Sequence, residues 1–178
     1  MISAIHGIIS KSAPAVITPP TGLVILNDWV LTRMEIINGN DFRPLDGDAR
    51  AYSPSYIPVG GVGEIRGKSF VTIFGLDRLE NSDPYNALDY AVWRGNGGLV
   101  GTWQNNVEKL GDYVPVGSYE RVRCDGSFVY FEYSIDDTLS WLPIQAPVPQ
   151  LQEKLYPKVS TDPGEYLDDV FVSGMVKD

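Results

Sequence analysis

Between residues 68 and 136 the chain alternates short runs of β-branched and aromatic residues with clusters of turn formers. The runs read SFVTIFGL, ALDYAVW, GLVGTW, SYERVRC and FVYFEYSI, and they are separated by DPYN, RGNGG, NNVEKLGDYVPVG and CDGS. Side chains that branch at Cβ or carry rings are crowded in a helix but stand clear on a pleated strand. Gly, Asn, Asp and Pro in the gaps supply the φ angles and side-chain-to-backbone bonds of tight turns. Strands this short and this closely spaced predict an all-β fold, an antiparallel sandwich or barrel.

Alternation along the runs sorts their faces. In FVYFEYSI, Val129, Phe131, Tyr133 and Ile135 share one face, and Phe128, Tyr130, Glu132 and Ser134 share the other. Val122 and Cys124 point the same way, so Cys124 is expected to be a small buried apolar residue. Over residues 70–76 both faces are apolar, which predicts a strand covered on both sides.

Outside this stretch the signals are weaker. Residues 1–21 read as an apolar arm, with one strand at 4–10 and then prolines that interrupt any ladder. The run at 22–38, GLVILNDWVLTRMEIIN, could be helical or extended, and its β-branched content favours strands. Residues 39–63 show no sustained periodicity and predict a long loop within a single domain spanning 22–178. The proline-rich stretch 143–152 reads as irregular, with one helical turn at 150–155, and 167–176 as the closing strand. No repeat is present, which argues against a propeller or solenoid.

Composition removes several function classes. A net charge of −9 leaves no basic stripe for nucleic acid. Cys124 is the only cysteine and His6 the only histidine, so intrachain disulfides, Cys-rich zinc sites, multi-His metal sites and His-based triads are out. No run reaches the length of a membrane helix, and no membrane insertion is expected. The start, MISAIHGIISKSAPA, has a short apolar run with no Lys or Arg before it, so a cleaved signal is not expected.

Three motifs read more simply as structure. Gly61 and Gly63 miss the phosphate-loop spacing to Gly67, Lys68 and Ser69, and a strand follows where that loop needs a helix. Ser134, Asp136, Ser140 and Trp141 resemble the Asp-box turn of sialidase-like proteins, with Thr138 in place of its glycine. Calcium would need an oxygen-rich loop, and neither residues 38–41 nor 46–48 have EF-hand spacing. No cofactor is expected. Hydrolysis of a glycosidic bond needs two carboxylates flanking that bond. Glu132, Asp136 and Asp137 come nearest, but Asp137 belongs to the turn and has the wrong parity relative to Glu132, and the adjacent Asp168 and Asp169 point to opposite faces.

Taken in order, residues 60–176 resemble the concanavalin A-like lectin/glucanase modules of phage and bacterial surface proteins. The residues that carry this are Phe74, Gly75 and Leu76; Asp89, Tyr90, Ala91 and Val92; residues 98–106 and 117–123; the Asp125–Gly126 turn before a Tyr-rich strand; and residues 164–172. The resemblance implies an antiparallel β-sandwich of jelly-roll type that binds something. The glucanase carboxylate motif is missing, so the expected role is non-enzymatic: a structural or adhesion module of a bacteriophage virion, such as a capsid decoration, fibre or receptor-binding subunit. Its partners would be other virion or surface-assembly proteins, further copies of itself, or a glycan. The alternative is a lectin or atypical glycanase. For ligand contact the candidates are Trp93, Arg94, Trp103, Asn105 and Asn106, which offer aromatic platforms and amide donors on adjoining segments. The arm at 4–10 is expected to pair with the closing strand.

Overall fold

The computed structural model describes residues 28–80, 88–105 and 107–178. The β-branched and aromatic runs are strands, and no α-helix occurs among the described residues. In chain order the strands are β1 (Val30–Thr32), β2 (Met34–Ile37), β3 (Asp41–Pro44), β4 (Ala49–Tyr52), β5 (Val62–Asp77) and β6 (Tyr90–Arg94). There follow β7 (Leu99–Gln104), β8 (Val107–Tyr113), β9 (Tyr119–Asp125), β10 (Phe128–Ser134), β11 (Leu142–Pro149) and β12 (Tyr156–Ser173).

All pairings are antiparallel, and two long strands belong to both layers of a sandwich. The first layer runs β1-β4-β12-β5-β6-β7-β8 and uses β5 from Thr72 and β12 as far as Thr161. The second runs β2-β3-β12-β5-β9-β10-β11 and uses the earlier half of β5 and the later half of β12. Inward residues of the first layer, Phe74, Val92 and Val100, share one core with Ile65, Val122, Val129 and Phe131 of the second. Burying each such large side chain contributes about 1.5–3 kcal/mol. Tyr90 is buried with them, its hydroxyl donating to Pro149 O at 2.9 Å and accepting from Leu151 N–H at 2.9 Å.

Five expectations change. The stretch 39–63 holds β3 and β4, each four residues long, which bury Phe42, Ala49 and Ala51 and turn Arg43 and Arg50 outward. Elements that short leave too few alternations to register as a period. The gap 105–117 holds β8, whose residues are almost all exposed because it is an edge strand with one neighbour. The proline-rich stretch holds β11, also an edge strand, where a missing N–H costs no ladder bond, and Pro147 lies at a register break. No helical turn forms over 150–155. Ile135 is 64% exposed because β10 ends before it. The N-terminal strand expected at 4–10 lies outside the described residues; at Leu167 its expected neighbour has β3 on one side and β5 on the other.

The Asp-box-like segment is a turn. Asp136 accepts from the hydroxyls of Ser134 at 2.7 Å and Ser140 at 2.5 Å and from Ser140 N–H at 2.9 Å. These donors, led by Ser140, hold its carboxyl down at about 2. Thr138 occupies the glycine position at φ 75°, the left-handed region that explains the usual glycine. Trp141 packs its ring under the Arg121 guanidinium, 3.8 Å away.

Cys124 is fully buried, and burial pushes its thiol up to about 12. A thiol that is neither accessible nor ionised does not alkylate. Iodoacetamide at mildly alkaline pH is therefore expected to leave the native protein unmodified and to label it once in denaturant. Labelling of the native protein at the denatured rate would contradict this packing.

Candidate functional site

Strand alternation places Trp93 on the outer face of the first layer, directly across from Gly101 of β7. A Cβ at Gly101 would lie 2.5 Å from the Trp93 ring, and one at Gly95 would lie 3.2 Å from the ring's other end. The indole thus rests flat across two positions kept free of side chains, with its Nε1 sealed against the sheet. Trp103 stands on the same face, two residues beyond Gly101 along β7. Half-buried tryptophans on a rigid strand pair make a platform that cannot easily swing away.

The wall beside this platform comes from a break in the β5–β12 ladder. Thr161 pairs with Thr72 and Tyr166 with Phe70, so residues 162–165 of β12 stand opposite Val71 alone. The surplus residues, Asp-Pro-Gly-Glu, leave the ladder as a loop closed by Asp162 N–H donating to Glu165 Oε2 at 2.8 Å. Val71 takes up the mismatch at φ 50°, an outlier for a β-branched residue that costs on the order of 1–3 kcal/mol. Thr72 secures the break by donating its hydroxyl to Tyr166 O at 2.8 Å and Phe70 O at 3.0 Å.

Between platform and wall lies a groove of about 380 Å³, lined by Trp93, Trp103, Val71, Ile73, Asp162 and Glu165 together with neighbouring strand residues. That volume is within the roughly 300–1,000 Å³ usual for small-molecule sites. Burial raises the Asp162 carboxyl, and Asp48 beside it raises it further. Burial likewise raises Glu165, partly opposed by the Asp162 N–H. The groove therefore joins aromatic faces to a wall of acceptors.

Of the residues singled out in the sequence, Trp93 and Trp103 meet in this groove. Arg94 contributes to the lining, but its side chain belongs to the opposite face of β6. It forms a buried ion pair with Glu120 of β9 and donates to Val114 O at 3.0 Å and Pro115 O at 3.4 Å. Glu120 also accepts from Ser69 N–H at 3.2 Å and from the Ser69 hydroxyl at 2.8 Å. Burial pushes the Glu120 carboxyl up, and Arg94 and Ser69 pull against it. Asn105 sits in the β7–β8 turn at φ 52°, a conformation Asn tolerates, with its N–H on Asp89 O at 2.6 Å. Asn106 lies outside the described residues. Sequence reasoning missed Asp162 and Glu165, although the turn signal DPG inside an apolar run marks the place.

No three His, Cys, Asp or Glu side chains converge on a metal position among the described residues. The acidic loops considered for calcium are engaged by protein donors. Asp41 accepts from Asn38 Nδ2 at 2.9 Å and from Asp169 N–H at 3.0 Å. Asp46 and Asp48 face Arg33 at 3.6 Å and Arg50 at 3.8 Å.

No family model matches the sequence, and no curated protein matches it either. Solved structures do share the architecture. The exoplasmic/lumenal domain of VIP36, in its Ca2+/Man2-bound form, aligns over 85% of this chain and 82% of its own, with a TM-score of 0.62 and 10% identity. This is a concanavalin A-like β-sandwich. The PSpry domain of TRIM65 aligns over 79% of this chain and 90% of its own at a TM-score of 0.57 and 10% identity. For the SPRY domain of human HERC1 the values are 81%, 94%, 0.54 and 13%. At these identities the likeness is one of sandwich architecture.

Two substitutions test the site's construction. Gly101→Ala should lift the Trp93 indole from the sheet, seen as a red-shifted, more quenchable tryptophan emission; an unchanged spectrum would mean the ring does not rest there. Arg94→Ala should cost about 3–5 kcal/mol in denaturant unfolding, because it strands a buried carboxylate. A loss below about 1 kcal/mol, typical of exposed pairs, would place the pair in solvent.

Proposed function

We propose that this chain is a non-enzymatic binding and adhesion module that holds a saccharide in the groove between the tryptophan platform and the 162–165 loop. The observation that carries the reading is the indole of Trp93 laid flat over Gly95 and Gly101. A flat, half-exposed ring offers a large apolar face at little entropic cost, and sugar rings present flat C–H faces of matching size. Carboxylates at the groove edge accept from sugar hydroxyls and fix orientation. The Man2-bound form of the VIP36 domain, a sandwich of similar architecture, supports the choice of ligand class.

Binding is favoured over hydrolysis by placement. Glycosidases set two carboxyl groups on either side of the scissile bond. Here both groove carboxylates, Asp162 and Glu165, belong to one short loop and so to one wall. The setting we propose is a bacteriophage virion, where such a module serves as a decoration, fibre or receptor-binding subunit. What supports that setting is the sequence: a lectin-like pattern joined to an apolar arm. Capsid or tail genes beside the coding sequence would agree with it, and a locus without them would remove it.

The binding reading is tested on a broad glycan array. Wild-type protein should bind, and Trp103→Ala should lose about tenfold or more in affinity, roughly 1.4 kcal/mol, with an unchanged melting temperature. A wild-type protein that binds no glycan would retire the saccharide.

A further inference from the structure

Resting on the saccharide reading of the groove, we infer that its ligand is an amino sugar carrying a free, protonated amine, selected over N-acetylated and acidic sugars. The inference comes from counting what the groove can donate and accept. Asp162 and Glu165 are acceptors only when ionised. Thr72 adds no donor, because its one hydroxyl proton is spent on the carbonyls of Phe70 and Tyr166. The Thr161 hydroxyl faces its neighbour's carbonyl, Asp162 O, at 3.4 Å. Gly95 N–H is bonded to Leu99 O at 2.9 Å, and the Trp93 Nε1 is sealed against the sheet. The lining side chains still able to donate are the Ser160 hydroxyl and the Trp103 Nε1, both neutral, and they stand against two carboxylates.

Its charge is equally one-sided. The guanidinium of Arg94 is turned inward to Glu120. Lys158, in the cross-strand row of Trp103, is fully buried with its Nζ 2.9 Å from Asp77. Arg50, in the row of Trp93, faces Asp48 at 3.8 Å. Arg94, the one cationic residue of the lining, is committed to Glu120, so Asp162 and Glu165 stand beside aromatic faces with no ion pair to a lining residue. An ammonium group answers each of these features. It has three donors and no acceptor, it neutralises the carboxylates, and it is attracted to the face of an indole. A neutral hydroxyl supplies donors without charge, an N-acetyl group removes the cation, and an acidic sugar meets like charge on a protein already at −9.

The test compares three trisaccharides by titration calorimetry at physiological salt and mildly acidic pH: glucosamine trimer, N-acetylglucosamine trimer and galacturonic acid trimer. We expect the glucosamine trimer to bind about tenfold or more tightly than the N-acetyl form, and the acidic trimer not to bind. Glu165→Gln keeps an acceptor for the Asp162 N–H and should erase the preference, the glucosamine trimer losing about tenfold and falling to the affinity of the N-acetyl form. Glu35→Gln, on the exposed side of β2, removes the same charge from the molecule and should leave the preference intact. Trp103→Ala should weaken every sugar that binds. Equal binding of the amine and N-acetyl trimers would overturn the amine inference and leave the saccharide reading standing. Loss of preference in Glu35→Gln, or lysine tripeptide binding as tightly as glucosamine trimer, would show a response to charge alone and overturn it too. Failure of all three sugars with the wild-type protein would overturn the saccharide reading itself.

Discussion

The antiparallel pairing of β5 with β12 is the constraint from which the rest of the sandwich follows. The two strands are 16 and 18 residues long, far beyond a usual strand of about 5–6. Sheets twist, so a ribbon of that length cannot lie in one flat layer. It passes from the first layer to the second, and its ladder breaks twice on the way: at Val71 opposite residues 162–165, and at Gly67 opposite Asp169 and Val170. Each break carries a non-glycine residue in the left-handed region, Val71 at φ 50° and Asp169 at φ 53°. The groove wall is the surplus chain at the first break. Site and crossover therefore have one cause.

A polar clamp holds the layers at that crossing. Arg94 from β6 and Glu120 from β9 meet in the interior, and Ser69 of β5 closes the set. Desolvating two charges makes such a pair a poor source of net stability. Its effect is on geometry, since the two terminal nitrogens of the guanidinium, the carboxylate and the serine all find partners in one arrangement, with Arg94 Nε alone buried without one among the described residues. On the outer face of the second layer the charges are also satisfied among themselves. Arg121 bridges Glu64 at 3.1 Å and Glu132 at 2.7 Å, and Arg66, Arg121 and Arg123 each lie over a ring, those of Phe171, Trp141 and Tyr130. The first layer's outer face differs. There, among the described residues, the two tryptophan rings and the groove carboxylates meet no cation, which sets this face apart as the one with chemistry to spare.

How much of this was legible follows from what alternation can and cannot report. The five aromatic, β-branched runs are β5, β6, β7, β9 and β10, because each buries a face and so repeats every second residue. β8 and β11 lie at edges and bury little, and β3 and β4 are too short to repeat. In the site, the tryptophans were readable as candidates on adjoining segments, and their shared face came only with the β6–β7 register. Arg94 was readable as misplaced, since neighbours on a strand face opposite ways and it follows Trp93 directly. Asp162 and Glu165 were not readable as site residues. The DPG signal marks a turn there, but that the turn borders the tryptophans depends on which residue of β5 stands opposite, a register about 90 residues away in sequence.

The strain at Val71 fits a site that selects by shape already in place. A β-branched residue holds a left-handed φ only where its surroundings over-determine it, and here ladder bonds continue on both sides of the break. Thr72, the next residue, ties both sides of the break together through one hydroxyl. The loop opposite is closed on itself by the Asp162 N–H and Glu165 carboxylate contact, which holds the Glu165 carboxyl against the loop backbone before any ligand arrives. On the other side the indole has nowhere to sink, because the sheet backbone lies directly beneath Gly101 and Gly95. Platform and wall are both mounted on strands, so little of the binding free energy is lost to ordering them. A groove built in this way discriminates by the charge and donor pattern of what enters, because it has little freedom to rearrange around a poorer fit.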